Sequence, residues 1–594
     1  MILNKVISIL KVFNIIWLVN KSLLILSIFI RIILGFIPYV NLIIFEKLVN
    51  SVVLFVESNI NYESIFLILL IQLLLMVFNS IMSNLMELID NKLEYNLDYY
   101  LQKKTGKKAA TVPLAYFDDN QFYNHQSRVS GGLGNRMLVP IKNLLNILQR
   151  LITLISYMII LMNVHWILAI LSTLTFLPVI IVNRYYGKKN FSLLISQTPK
   201  AREANYYRSL LIDRASAKEV RLFNLKHYLL QKWEILYLDN LKEILNLFKR
   251  QSYAKMGLDM ATGILFGITS AILIRIIKSG NLTIGMFVVI IQAIQGMQST
   301  INSISFLLAN IYKENLFIQD LFNFLNYEDK TINIYKNNYS FPLLKEGIVF
   351  DNVSFNYPRS TKEVLKEISF TVIPGEKIAI VGSNGSGKTT LVKCLMGLYP
   401  ISKGNIFFDK ISIKEINPHS LWENITVIFQ DYVKYHFSVK ENIAIGKIEK
   451  INDYHRYKEV TDKTDLDILV SSFKNGYDTI LSKVYADGEE LSGGQWQKIA
   501  IARGLFRSGQ VFILDEPTAS LDPYTELEVF EQFQKISEEQ TTFFISHRMA
   551  AAKMADRILV LKEGQLIEEG NHEQLMELNG EYTKMYNMQA KWYH

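Results

Sequence analysis

From Leu151 to Asn183 the chain carries no Asp, Glu, Lys or Arg. As one helix that stretch would be about 50 Å long, while a bilayer's hydrocarbon core is about 30 Å thick. It must therefore cross twice, and NVHW at 163–166 is the expected tight turn between the crossings. Comparable apolar runs at 22–45, 64–86, 256–277 and 283–312 join 148–163 and 166–183 to make six expected spans. Pro38 and Pro178 are tolerable kinks, because neighbouring helices can satisfy the freed backbone groups. Residues 346–594 mix charged and apolar positions as an α/β domain does. The expected fold class thus begins with a membrane α-helical bundle of six transmembrane helices, followed by an α/β domain. The expected divisions are an N-terminal elbow or interfacial helix at 1–21, a membrane domain at 22–326, a polar linker at 327–345 and the α/β domain at 346–594.

Charge explains orientation better than it explains a ligand. The formal net charge is +8, and most of the excess lies in two long connectors, 87–147 and 184–255. The loops on the opposite side hold only Lys47 and Lys278. By the positive-inside rule both connectors and both termini face the cytoplasm, which places the chain in the cell membrane and leaves no call for nucleic acid. The N-terminal stretch lacks a small-residue cleavage site, so it reads as a helix and not as a signal peptide. The single cysteine, Cys394, excludes a disulfide framework within the chain and reads as a buried thiol. In the sixth span Gln292, Gln295, Ser299 and Asn302 share one helical face, either as hydrogen-bonding glue or as the lining of a polar cavity. Arg31, midway along the first span, is costly in hydrocarbon, so it faces a cavity, snorkels or has a structural partner.

The second half carries the chemistry. Ile378–Val381 form an apolar strand that runs into GSNGSGKTT at 382–390, a match to G-x-x-x-x-G-K-[ST]. The α/β domain at 346–594 is therefore expected to be a cytoplasmic α/β P-loop ATPase domain, that is, a nucleotide-binding domain, in which the backbone of Gly382, Ser383, Asn384, Gly385, Ser386 and Gly387 can wrap phosphates. Lys388 reaches the outer phosphates, and Thr389 with Thr390 opens the helix, Thr389 offering a hydroxyl to Mg²⁺. A second apolar strand, Val511–Leu514, delivers Asp515 as a further Mg²⁺ ligand and Glu516 to polarise the attacking water. LSGGQWQKIAIARG at 491–504 begins a second helix with free N–H groups at Ser492, Gly493, Gly494 and Gln495. That start also seeks an anion, but it has no lysine.

Phosphate loop, LSGGQ and DEPTASLD in this order, behind six spans, resemble an ABC transporter of the exporter type, here a half-transporter. The resemblance implies further roles. Tyr357 in SFNYP matches the residue that stacks on adenine, the alternative being a core tyrosine. Gln430 in VIFQD matches the glutamine that touches Mg²⁺ and the attacking water. His547 in FFISH matches the histidine at the γ-phosphate, and Asp522 matches the aspartate that bridges two ATPase domains. It also implies that the lysine-free helix start meets ATP held by a second copy, so the expected assembly is a homodimer. YFDDNQFYN at 116–124 looks like the segment that couples membrane helices to the ATPase, and AKEVRLFN at 217–224 lies in the matching part of the second connector. Lys483 in SKVYADGEE stands where an acid is usual. With GQWQK in place of the commoner Gln-Arg-Gln, IFQDYVKY at 428–435 is similar to exporters of lantibiotics and related antimicrobial peptides. No Cys/His pair suggests a leader-peptidase domain, so leader removal is expected elsewhere. The implied function is ATP-driven export of a ribosomally made peptide, with the lipid bilayer as its setting. A lipid or glycolipid flippase, a multidrug exporter, and an ATP-driven sensor or gated channel remain open.

Overall fold

The computed structural model describes all residues except 1, 59–61, 120, 124–125, 127–132, 175, 279–282, 328–338, 359, 516–539, 547–548 and 592–594. The chain divides into two compact units, one of residues 1–111 and 120–327, the other of residues 112–119 and 328–594.

Among the described residues, six helical stretches are long and apolar enough to cross a bilayer. They are built from α1 (Ile2–Ser58), α2 (Glu63–Thr111), α3 (Leu133–Val164), α4 (Trp166–Thr173) with α5 (Phe176–Ile212), α6 (Lys226–Lys278) and α7 (Ile284–Leu325). Asn20 breaks α1 with φ −161° and ψ 83°, and its side-chain oxygen accepts from the Leu23 N–H at 3.2 Å. The amide thereby ends one helix and caps the next, which separates an N-terminal segment from the first span. At NVHW the chain turns where His165, with φ −165°, caps α4 by accepting from Ile167 N at 3.2 Å. The charged connectors are not loops: α2, α5 and α6 continue through them as helix, and α2 alone spans 49 residues, about 74 Å.

Packing in this unit relies on close approach. A Cβ on Gly296 would lie 2.6 Å from the Tyr157 ring, so glycine lets α7 settle against α3. Around this contact Leu161, Leu168, Leu273, Ile290, Ala293, Ile294 and Met297 form one buried cluster. Arg31 has a structural partner. Its guanidinium is fully buried and donates to both carboxylate oxygens of Asp90, at 3.0 and 2.8 Å, and to Asn146 Oδ1 at 3.0 Å. Lys142 Nζ reaches the same carboxylate at 3.1 Å. The ion pair ties α1, α2 and α3 together, and removing one partner of such a pair costs about 3–5 kcal/mol.

The second unit holds two sheets. The first is antiparallel, in the order β2 (Glu363–Val372), β1 (Ile348–Asn356), β4 (Lys403–Phe408) and β5 (Ile411–Ser412). The second runs β10 (Gln565–Gly570), β9 (Arg557–Lys562), β3 (Lys377–Val381), β8 (Thr541–Ile545), β7 (Val511–Asp515) and β6 (Ile425–Ile428). Its pairs from β9 through β6 are all parallel, and β3, β7 and β8 are nearly continuous buried apolar runs, as two-sided burial requires. Phe341, inside the stretch expected as a polar linker, is 8% exposed and packs against Phe408 with ring centroids 5.0 Å apart. Residues 339–345 are therefore part of the ATPase unit, an assignment that needs a partner 67 positions away in sequence (408 minus 341).

Candidate nucleotide site

Four neighbouring parallel strands, β3, β8, β7 and β6, end on the same side of the sheet. Open α/β sheets bind ligands beyond these carboxyl ends. The strand ends deliver, in turn, the phosphate loop after Val381, Ser546 after Ile545, Asp515, and Gln430 two residues beyond Ile428. Gln430 is exposed at that edge. Glu516, Asp522 and His547 lie outside the described residues.

The phosphate loop is built around backbone conformations that side chains resist. Gly387 has φ +105° and caps α8 (Lys388–Leu395) without any side-chain hydrogen bond. A Cβ there would lie 2.8 Å from Leu365 Cδ2 and 3.1 Å from the Val364 carbonyl. Gly382 and Gly385 also have positive φ, 151° and 79°, while Ser383 and Asn384 are exposed between them. Lys388 is 5% exposed and its ammonium donates to the carbonyls of Gly382 and Ser383, at 2.9 and 3.1 Å. Its charge thus sits in the hollow of the loop. The buried Ser386 hydroxyl has no partner. Thr389 donates from its hydroxyl to Asp515 Oδ1 at 3.3 Å, which brings the two expected metal-binding side chains together. An unpartnered hydroxyl, a lysine and a glycine-walled hollow fit a nucleoside triphosphate.

Tyr357 stands at the side of this cradle. Its hydroxyl is 3.1 Å from Thr390 Oγ1, and its ring meets Phe355 and Tyr399 edge-on at 5.0 and 5.4 Å. Tyr399 in turn donates to Asp118 Oδ2 at 2.8 Å. Burial, with Asp118 beside it, pushes the Tyr399 hydroxyl well above the ordinary tyrosine range, so it stays a donor. The coupling segment expected at 116–124 is divided: Val112–Asp119, with Asp118, belongs to the ATPase unit, whereas 121–123 group with the membrane helices. The stretch AKEVRLFN contains a short helix, Ala217–Leu222, ended by Asn224 at φ +51°.

The second helix start has another construction. Ser492 caps α9 (Gly493–Arg507): its hydroxyl accepts from Gln495 N at 3.3 Å, and Gln495 Oε1 accepts from Ser492 N at 2.9 Å. The N–H groups of Ser492 and Gln495, expected from the sequence to be free, are therefore engaged by this reciprocal capping box, and Gln495 holds the turn. Gly493 is exposed, and a Cβ on it would meet nothing within 4 Å. Gly494 follows it as the second residue of the helix. Among the described residues nothing crowds a side chain at 493, so this helix start leaves open space beside its glycine.

Two features of the resemblance to lantibiotic exporters, GQWQK and IFQDYVKY, meet here. Trp496 is 4% exposed in the cluster with Tyr457, Leu466 and Phe506, and Tyr432 packs against that cluster. The Tyr432 hydroxyl donates to the Gly493 carbonyl at 3.3 Å. The loop after Gln430 is thereby tied to the lysine-free helix start. In the sequence, only the resemblance of IFQDYVKY to lantibiotic exporters points to the neighbourhood of Tyr432. In SKVYADGEE, a Cβ on Gly488 would fall 1.8 Å from the Ser482 carbonyl, so the run folds as a tight turn.

The comparisons with known proteins agree with this geometry. Residues 365–519 match the ABC transporter family, and residues 24–301 match the ABC transporter transmembrane region. The subtilin transport ATP-binding protein SpaT of Bacillus subtilis is 32% identical over 97% of this chain and 93% of its own length. The nisin transport ATP-binding protein NisT of Lactococcus lactis subsp. lactis is 30% identical over 96% and 94%. An ATP-dependent lipid A-core flippase of Coxiella burnetii is 34% identical over 311 residues, 52% of each chain. Among solved structures, a bacterial Atm1-family ABC exporter with ATP bound superposes with a TM-score of 0.76 at 21% identity, covering 96% of this chain and 98% of that one. The chain belongs to the ABC transporter family, as a membrane-embedded exporter whose ATP-binding domain hydrolyses ATP to drive transport.

Proposed function

We propose that this chain exports a ribosomally made, lantibiotic-type peptide across the cell membrane, working as a homodimer with its termini and ATPase domains in the cytoplasm. One observation carries the choice of cargo. The subtilin and nisin transport proteins match over nearly the whole chain, membrane unit included, whereas the 311-residue match to a lipid A-core flippase is too short to span both units. Cargo is selected by the membrane unit, so full-length similarity bears on cargo more than similarity over half the chain. The basic connectors support the cytoplasmic orientation.

At the nucleotide site, Lys388 and the N–H groups of residues 382–390 hold the phosphates of ATP bound to the same chain. Thr389, Asp515 and Gln430 form the seat for Mg²⁺, which when bound neutralises charge on the phosphate oxygens. Glu516 orients and polarises the attacking water, and His547 contacts the outer phosphate. Tyr357 stacks on adenine. Ser492, Gly493 and Gly494 of one copy face the ATP of the other, and Asp522 bridges the pair. Every one of these positions carries a competent side chain, so two identical chains suffice.

The test uses inside-out vesicles reconstituted with the purified chain. ATP-dependent accumulation of a lantibiotic-type precursor peptide, with no response to lipid A or to hydrophobic drugs, is the expected result. Lipid A movement without peptide accumulation assigns a flippase. ATP turnover that responds to peptide while none accumulates assigns a sensor.

A further inference from the structure

The membrane unit contains a cavity of about 780 Å³ between α5, α6 and α7. Three members of the polar stripe read from the sequence, Gln295, Ser299 and Asn302, line it, and Gln298 joins them. Gln292 is not among the lining residues; it lies one helical turn beyond Gln295. Gln298 is 8% exposed, yet its side-chain nitrogen has no hydrogen-bond partner. A buried amide donor left unpaired is costly, and a leucine would pack the same space without that cost. A ligand acceptor accounts for it.

The chemistry of the wall narrows the ligand. Its charged groups are one cation and one carboxylate, Lys255 and Asp259. A phosphorylated headgroup is read by an excess of Arg and Lys, and this wall has no excess. What it offers is a row of neutral amides and hydroxyls beside the apolar faces of Phe248 and Phe306. From residue 295 to residue 302 the row spans about 10 Å, the length of about three residues of an extended chain.

We infer that this cavity binds the backbone of an extended peptide segment, with Gln298 donating to a peptide carbonyl while Gln295 and Asn302 pair with neighbouring amide groups. The inference rests on the peptide cargo proposed above. Backbone groups are the same in every peptide, so recognition here is indifferent to side-chain order.

The experiment measures ATPase activity of the full chain in phosphatidylglycerol-containing nanodiscs against a synthetic amphipathic peptide, the same peptide in scrambled order, and lipid A. For Gln298→Met, which keeps length and volume, the half-stimulating concentration of both peptides should rise about tenfold. Ser299→Cys should crosslink to a maleimide-bearing peptide, and excess unmodified peptide should block the reaction. The native Cys394 adds little background, because it is buried and burial pushes its thiol up to about 12. Crosslinking decides the matter if Gln298→Met fails to fold. Stimulation by peptide with an unchanged half-point in a folded Gln298→Met protein, or no crosslink at Ser299→Cys, overturns the cavity and leaves peptide export standing. A wild-type protein stimulated by lipid A and by neither peptide overturns both.

Discussion

The two phosphate-seeking helix starts of the ATPase unit are built on opposite principles. At Gly387 the helix is uncapped, buried and strained into positive φ, and a lysine lies in its hollow. At Ser492 the helix is capped by its own side chains and exposed, and the adjoining glycine has open space around it. The first start is complete within one chain. The second is stable without a ligand and presents a bare surface. On the function proposed above, the start whose own fold forces its glycine binds in cis, and the start whose glycine no described residue crowds serves the partner copy's ATP.

The largest expected effect tests whether both starts serve one hydrolytic event. Glu516→Gln should bind ATP and keep the dimer closed, while turnover falls about 10²- to 10⁴-fold. Near-normal hydrolysis in that variant removes Glu516 as the base and with it the shared event.

Substituting the two glycines separates the starts directly. Gly387→Ala should destabilise the ATPase unit by about 1–3 kcal/mol, seen as a lower melting temperature, because its Cβ collides with Leu365 in a disfavoured conformation. Gly493→Ala should melt like the wild type, because no described residue lies within 4 Å of the added methyl, but should hydrolyse ATP at least about tenfold more slowly if, as proposed, that methyl faces the partner's nucleotide. Mixed dimers sharpen the contrast. A Lys388→Ala chain paired with a Gly493→Ala chain retains one intact composite site and recovers part of the activity. Both changes in one chain, expressed alone, recover none. Equal activity from the two arrangements would mean the lysine-free start acts in cis.

The smallest effect concerns the link from the cis site to the connector. Tyr399→Phe or Asp118→Ala removes the 2.8 Å hydrogen bond between the ring beside Tyr357 and the segment following α2. A hydrogen bond worth about 1 kcal/mol changes an equilibrium about fivefold. Peptide stimulation of the ATPase should fall by that factor, with the apparent affinity for ATP unchanged. A shift in ATP affinity alone would assign the pair to nucleotide binding.

Local patterns made much of this molecule legible. Apolar length marks each span without reference to any neighbour, and a glycine-rich turn between strand and helix marks a phosphate cradle by its own backbone. The break at Asn20 and the turn at His165 likewise use side chains within three residues. The chain's own sequence was also enough to locate Lys388, Thr389, Asp515, Ser492 and Gly493.

Contacts between distant segments belong to tertiary structure. Arg31 was ambiguous until Asp90, 59 residues away, took its charge. The segment expected at 116–124 includes Asp118, but its partner Tyr399 lies 281 positions away, so only tertiary structure shows the contact and the extension of the segment back to Val112. Gln298 lies three residues after Gln295 and four before Asn302, so periodicity alone puts it on their face; that this face opens on a cavity is decided by how α7 packs against α1, α3 and α5. Periodicity determines which residues of a helix share a face, but only the neighbouring elements determine where that face points.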